Sequence, residues 1–118
     1  MALRDELRAA LKDAIKARDA DAVAVLRTTL AAIDNAEAVP TEHAATAGGG
    51  PIAGAVSGLG AGEAARRELS EDDVVAIVQA EAAELVASAA ECADLGQADR
   101  AAALLAQVAV LGSHVDLA

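Results

Sequence analysis

The chain has 118 residues, the usual size of one domain, and carries a formal net charge of −10. Phe, Tyr and Trp are absent, and alanine supplies 35 residues against 28 Val, Ile and Leu together, so the core must be thin. This composition favours close-packed helices over a sheet and excludes the stacking of nucleic-acid bases on aromatic rings, while the single Cys92 excludes an internal disulfide and fits a reducing compartment.

The charge is unevenly placed. Residues 1 to 43 hold six basic and eight acidic side chains, and the remainder three basic and eleven acidic. The second half repels polyanions; any anionic partner must meet the first.

In chain order, Leu3, Leu7, Leu11 and Ile15 recur every four residues and predict a helix from about residue 3 to 18 with these four on its buried face. Arg4, Arg8, Lys12 and Lys16 recur one position on and make a basic stripe beside the apolar one. Two readings of the stripe stay open. It is either a set of snorkelling side chains at the edge of a packing seam, partly neutralised by Asp5, Glu6 and Asp13, or a surface for an anionic partner.

Asp21 is the expected N-cap of a second helix, with Val23, Leu26, Leu30 and Ile33 on its seam. Asp19-Ala20-Asp21 contains no Gly or Pro, but two carboxylates suit a helix start better than an interior, so a break is expected there. The first two helices then form a hairpin over residues 3 to 37. Pro40 should end it, because the residue before a proline is disfavoured in α conformation.

Residues 44 to 62 are uncharged and rich in Gly and Ala, and they lack the large aliphatics of a membrane span. A disordered loop is expected here, since ordering seven glycines is entropically costly and few apolar anchors oppose that cost. Gly58-Leu59-Gly60-Ala61-Gly62 does not qualify as a phosphate-binding loop, with no strand before it and no Gly-Lys-Ser or Gly-Lys-Thr after it. Charges at Arg4, Asp5, Glu6 and Arg8 interrupt any apolar leader, so a cytoplasmic location is expected.

A second hairpin is expected over residues 70 to 112. Ser70-Glu71-Asp72-Asp73 forms a capping box with Leu69 as a hydrophobic staple onto Val74. Val74, Val78, Ala82, Leu85, Ala89 and Cys92 then share one face, with Gly96 as the stop. Cys92 on that face reads as a small core hydrophobe rather than a nucleophile. The last helix runs from about Ala98 to Leu111, packs through Leu104, Leu105, Val108 and Leu111, and stops at Gly112. Val115 and Leu117 follow without a helix, either frayed or docked elsewhere.

The fold expected is therefore all-α: a small four-helix bundle of two helical hairpins joined by a flexible Gly/Ala-rich loop. No catalytic constellation emerges. His43 falls beside the loop and His114 at the end of the chain, and two distant His with one buried Cys do not make a metal site. The residues require no cofactor, and catalysis by the chain alone is not expected.

Lys16-Ala17-Arg18-Asp19, Leu26-Arg27 and Leu30-Ala31-Ala32-Ile33-Asp34-Asn35-Ala36-Glu37 together resemble the N-terminal signature of the YqeY-like family. The likeness extends to Arg67-Glu68-Leu69-Ser70-Glu71-Asp72-Asp73-Val74 and, more loosely, to Leu95-Gly96-Gln97-Ala98-Asp99-Arg100-Ala101. That family is related to the tail region of GatB, a subunit of the tRNA-dependent amidotransferase. The resemblance implies an all-α fold and a link to carbon–nitrogen ligase chemistry with glutamine as amido donor. It also implies a C-terminal helical domain, which is expected to be missing here. Two functions follow as expectations. One is an accessory module that meets tRNA phosphates through Arg4, Arg8, Lys12, Lys16, Arg18 and Arg27, or docks an amidotransferase component. The other is a protein-interaction or self-association module with no RNA role.

Overall fold

The computed structural model describes residues 2–47 and 68–117. Among these described residues four helices follow in order: α1 (Leu3–Ala17), α2 (Ala20–Ala47), α3 (Glu71–Asp94) and α4 (Ala98–Gly112). There is no strand among the described residues. α1 packs on α2, α3 packs along α4, and α2 lies centrally, touching all three of the others. The protein is a small all-α bundle of two helical hairpins.

The turn between α1 and α2 is the break expected at Asp19, made by two caps in succession. Arg18 takes a left-handed conformation (φ 58°), which lets its N–H donate to the Ile15 carbonyl (3.1 Å) and the Asp19 N–H reach back to that of Ala14 (3.0 Å). Asp19 then turns its own carboxylate onto the Ala22 N–H at 3.1 Å. The N-cap of α2 is thus Asp19 and not the expected Asp21, because only the residue just outside the first turn can reach the N–H three positions on. Arg18 is the one described non-glycine residue with positive φ. An L side chain costs roughly 1 kcal/mol in that conformation, so Arg18→Gly should raise the denaturant midpoint without changing the slope of unfolding.

α2 does not stop at Pro40. It runs on to Ala47, so the first residues of the expected loop, 44–47, and His43 lie on helical backbone. The restriction that proline imposes on its predecessor is a preference, and alanine-rich flanks favour the α conformation on either side. The rest of the expected loop, 48–62, lies outside the described residues.

α3 begins as expected. The Ser70 hydroxyl accepts from the Asp73 N–H and the Asp73 carboxylate accepts from the Ser70 N–H, both at 3.0 Å. At the far end Gly96 (φ 80°) turns the chain, with the Gln97 N–H on the Cys92 carbonyl (2.8 Å) and the Gly96 N–H on that of Ala93 (3.0 Å). Glu71, in the first turn of α3, also caps a different helix, since its carboxylate accepts from the Leu3 N–H at 3.1 Å. Ala2 has no side chain with which to cap α1, so a carboxylate from another helix satisfies that donor instead.

The core divides in two. The larger part gathers Leu3, Leu7, Ala14, Ala22, Val25, Leu26, Ile33, Val74, Val78, Ala82 and Leu111. A smaller one of Ala89, Cys92 and Ala101, with Leu104 against it, closes the distal end of the α3–α4 hairpin. Cys92 is buried and free, as a small core hydrophobe would be. Several seam residues differ from those read by spacing alone. Ile15 is 49% exposed while Ala14 is buried, and in α2 Val23 and Leu30 are half-buried while Ala22, Val25 and Thr29 are enclosed. Leu105 of α4 stands 51% exposed and Ala101 takes the interior. With so many alanines, two helices can approach along small side chains, and the larger neighbours are left at the edge.

The residues after α4 are docked, not frayed. Val115 and Leu117 pack against the main core, and the Gln79 amide donates to the Asp116 carbonyl at 2.9 Å. His114 Nδ1 lies 2.6 Å from Glu6 Oε2, tying the C-terminal segment to α1.

Candidate nucleic-acid interface

The six basic residues singled out from the sequence divide into two groups. Arg4 is committed to Glu37, at 3.1 Å, in a half-buried pair that fastens the start of α1 to α2. Arg8 stands 3.7 Å from Asp5 one turn earlier on α1. Both line an open cleft of about 640 Å³ whose other walls include Glu68 and Glu71 as well as Asp5 and Glu37. Four carboxylates against two guanidinium groups leave this cleft net negative and repulsive to an anion.

Lys12, Lys16, Arg18 and Arg27 are exposed, and none of them pairs with an acid among the described residues. The left-handed turn at Arg18 folds α2 back beside α1, and Arg18 and Arg27 both line one shallow groove of about 430 Å³. Ile15, Ala20, Val23 and Ala24 supply its apolar floor. Lys16 adjoins Ile15 in sequence, and Lys12 lies one helical turn before it. The stripe predicted along α1 therefore becomes a basic corner at the α1–α2 turn. These side chains are exposed, so their charges act on a partner through long-range attraction that salt screens.

A second feature was not anticipated from the sequence. Thr29, in the middle of α2, is fully buried, and its Oγ1 has no hydrogen-bond partner among the described residues. It lines a partly open cavity of about 170 Å³ between α2, α3 and α4, together with Val25, Glu81, Leu85 and Gln107 and the exposed Thr28 and Ser88. Glu84 stands at the same cavity. The Glu81 carboxyl is held above its ordinary range, first by burial, then by hydrogen bonding to Glu84 and repulsion from its charge. The one available signal was a threonine set between Leu26 and Ile33, where the seam of α2 favours an apolar side chain.

His114 is placed by its contact with Glu6 and not beside another nucleophile or base. No group of three or more His, Cys, Asp or Glu among the described residues is arranged to hold a metal ion. No described helix is long and apolar enough to cross a membrane. No protein-family model matches the chain, and no curated protein and no solved structure matches it either.

Proposed function

We propose that this protein is a non-catalytic accessory domain of the YqeY-like kind, acting in the cytoplasm beside tRNA-dependent amidotransferase chemistry by docking tRNA phosphates at the α1–α2 corner. The observation that carries the reading is the set of four exposed cations without acid partners among the described residues, Lys12, Lys16, Arg18 and Arg27, on a chain that is otherwise strongly acidic. Surface cations on an acidic protein ordinarily find carboxylates nearby; a cluster that does not is available to an external anion. Arg4 and Arg8 serve the bundle and its net acidic cleft, and the reading does not depend on them.

The test is equilibrium binding to bulk tRNA over a range of salt, with the wild type and the triple variant Lys16→Glu/Arg18→Glu/Arg27→Glu. Wild-type binding should be saturable and should weaken steeply with salt. The variant should show a log–log salt slope smaller by about two to three, as about one counterion is released per phosphate contact. No binding at low salt, or binding indifferent to the three reversals, overturns the reading.

The groove at the same corner favours a second reading, a protein-interaction module without an RNA role. Ile15 is half exposed and lines the groove with Arg18 and Arg27, a combination suited to an acidic, apolar segment of another protein. Apolar docking persists at high salt where phosphate binding is lost, so the same titration separates the two.

A further inference from the structure

We infer that the cavity between α2, α3 and α4 is a binding site for a guanidinium group, presented either by a small free molecule or by an arginine side chain of a partner. The site is independent of the tRNA-docking corner, which has the opposite charge and lies on a different face.

The walls of the cavity are rich in acceptors. Glu81 and Glu84 present carboxylates, Thr28, Thr29 and Ser88 present hydroxyls, and Gln107 presents an amide. An ionised carboxylate only accepts, and each hydroxyl and the amide oxygen can accept as well. Thr29 makes the strongest demand. Its Oγ1 is buried at the cavity with no partner among the described residues, and a hydroxyl removed from water without a hydrogen bond costs free energy that a ligand would recover. No cation of the described chain lies within ion-pair distance of Glu81 or Glu84. The ligand that complements such a lining has many donors, no acceptor and a positive charge.

A guanidinium fits that description, with five N–H donors in a plane and a charge that persists at all ordinary pH. Its planar fork can meet one carboxylate with two bonds and still direct donors toward the hydroxyls. An ammonium offers three donors from a single point and leaves more of this lining unsatisfied. The volume of about 170 Å³ corresponds to roughly five or six water-sized spaces, enough for the planar head and a short stem. The Glu81 carboxyl, raised first by burial and then by Glu84 beside it, agrees with an acidic group held there without a counter-charge.

The experiment is a titration of the full chain, followed by amide chemical shifts, with methylguanidinium, with methylammonium, and with a glycine pentapeptide carrying one central arginine. Sodium chloride at matched ionic strength is the control. Saturable shifts centred on Thr28, Thr29, Glu81, Glu84 and Ser88 are expected with methylguanidinium, and weaker ones with methylammonium. The double variant Glu81→Gln/Glu84→Gln should lose about tenfold or more in affinity, the usual worth of a charged hydrogen bond. Thr29→Val, which keeps the shape and removes the hydroxyl, should bind more weakly than the wild type while remaining folded. Binding of methylguanidinium but not the peptide identifies a small free ligand; binding of both identifies an arginine side chain. Shifts that do not saturate, that spread over the whole acidic surface, or that are unchanged in both variants overturn the assignment.

Discussion

Leu26→Ala is expected to lower the free energy of unfolding by about 3 kcal/mol, seen as a fall in the urea midpoint with the slope unchanged. Leu26 is 1% exposed and sits on the central helix, which touches the other three. Truncation removes the transfer free energy of three carbons and leaves a hole that the surroundings can close only in part. Closure is harder here than in most domains of this size. Alanines such as Ala14, Ala22 and Ala82 belong to the same core, and a methyl group has no rotamer with which to fill a neighbouring void. No aromatic ring is available to spread into the gap. A domain of this size has only about 5–15 kcal/mol of stability, so the loss is a large share of it. Ala87→Gly, on the exposed side of α3, is the useful comparison: it should cost about 1 kcal/mol through backbone entropy alone. If Leu26→Ala proves no worse than that surface change, the core described above does not hold the bundle together.

Thr29→Val has the opposite sign. It is expected to raise the free energy of unfolding by about 1–2 kcal/mol in ligand-free protein. The valine methyl occupies the place of a hydroxyl that is buried without a partner among the described residues, which removes a desolvation cost and creates no cavity. Thr29→Ser supplies the counterpart. It keeps the hydroxyl and deletes the methyl, so it should destabilise. Paired denaturation curves for the two variants separate the polar contribution of this residue from its packing. A stabilised Thr29→Val would also mean that the natural side chain is held against the interest of the fold, as residues that bind a ligand often are. A destabilised one would mean that the hydroxyl is satisfied in solution, by an ordered water or by backbone.

The helices themselves were legible because their signals are local. The capping box at Ser70–Asp73, the glycine turn at Gly96 and the four-residue spacing of Leu3 and Leu7 each act within a turn or two of chain, and each stands where those local signals place it. Expectation and structure part where a local preference competes with a neighbour. Asp21 is the expected cap and Pro40 the expected stop, yet a cap is chosen by which carboxylate reaches the free N–H, and a proline imposes a preference that helical flanks can outweigh.

Which face of each helix is buried lay beyond the sequence by about one position, at Ile15 against Ala14 and at Val23 against Ala22. Periodicity ranks a face by its large side chains, whereas an alanine-rich bundle packs on its small ones, and only the approach of the second helix decides between them. The same holds for charge. The sequence by itself determined the all-α class, the pairing of helices into two hairpins, and the placement of six of the nine basic side chains in the first 43 residues. Only the tertiary structure decided that Arg4 pairs with Glu37, that Arg18 and Arg27 line one groove, that His114 meets Glu6, and that Thr29 lines one cavity with two glutamates. Those pairings join residues far apart in the chain. No propensity or spacing within a helix specifies which distant side chain will arrive opposite.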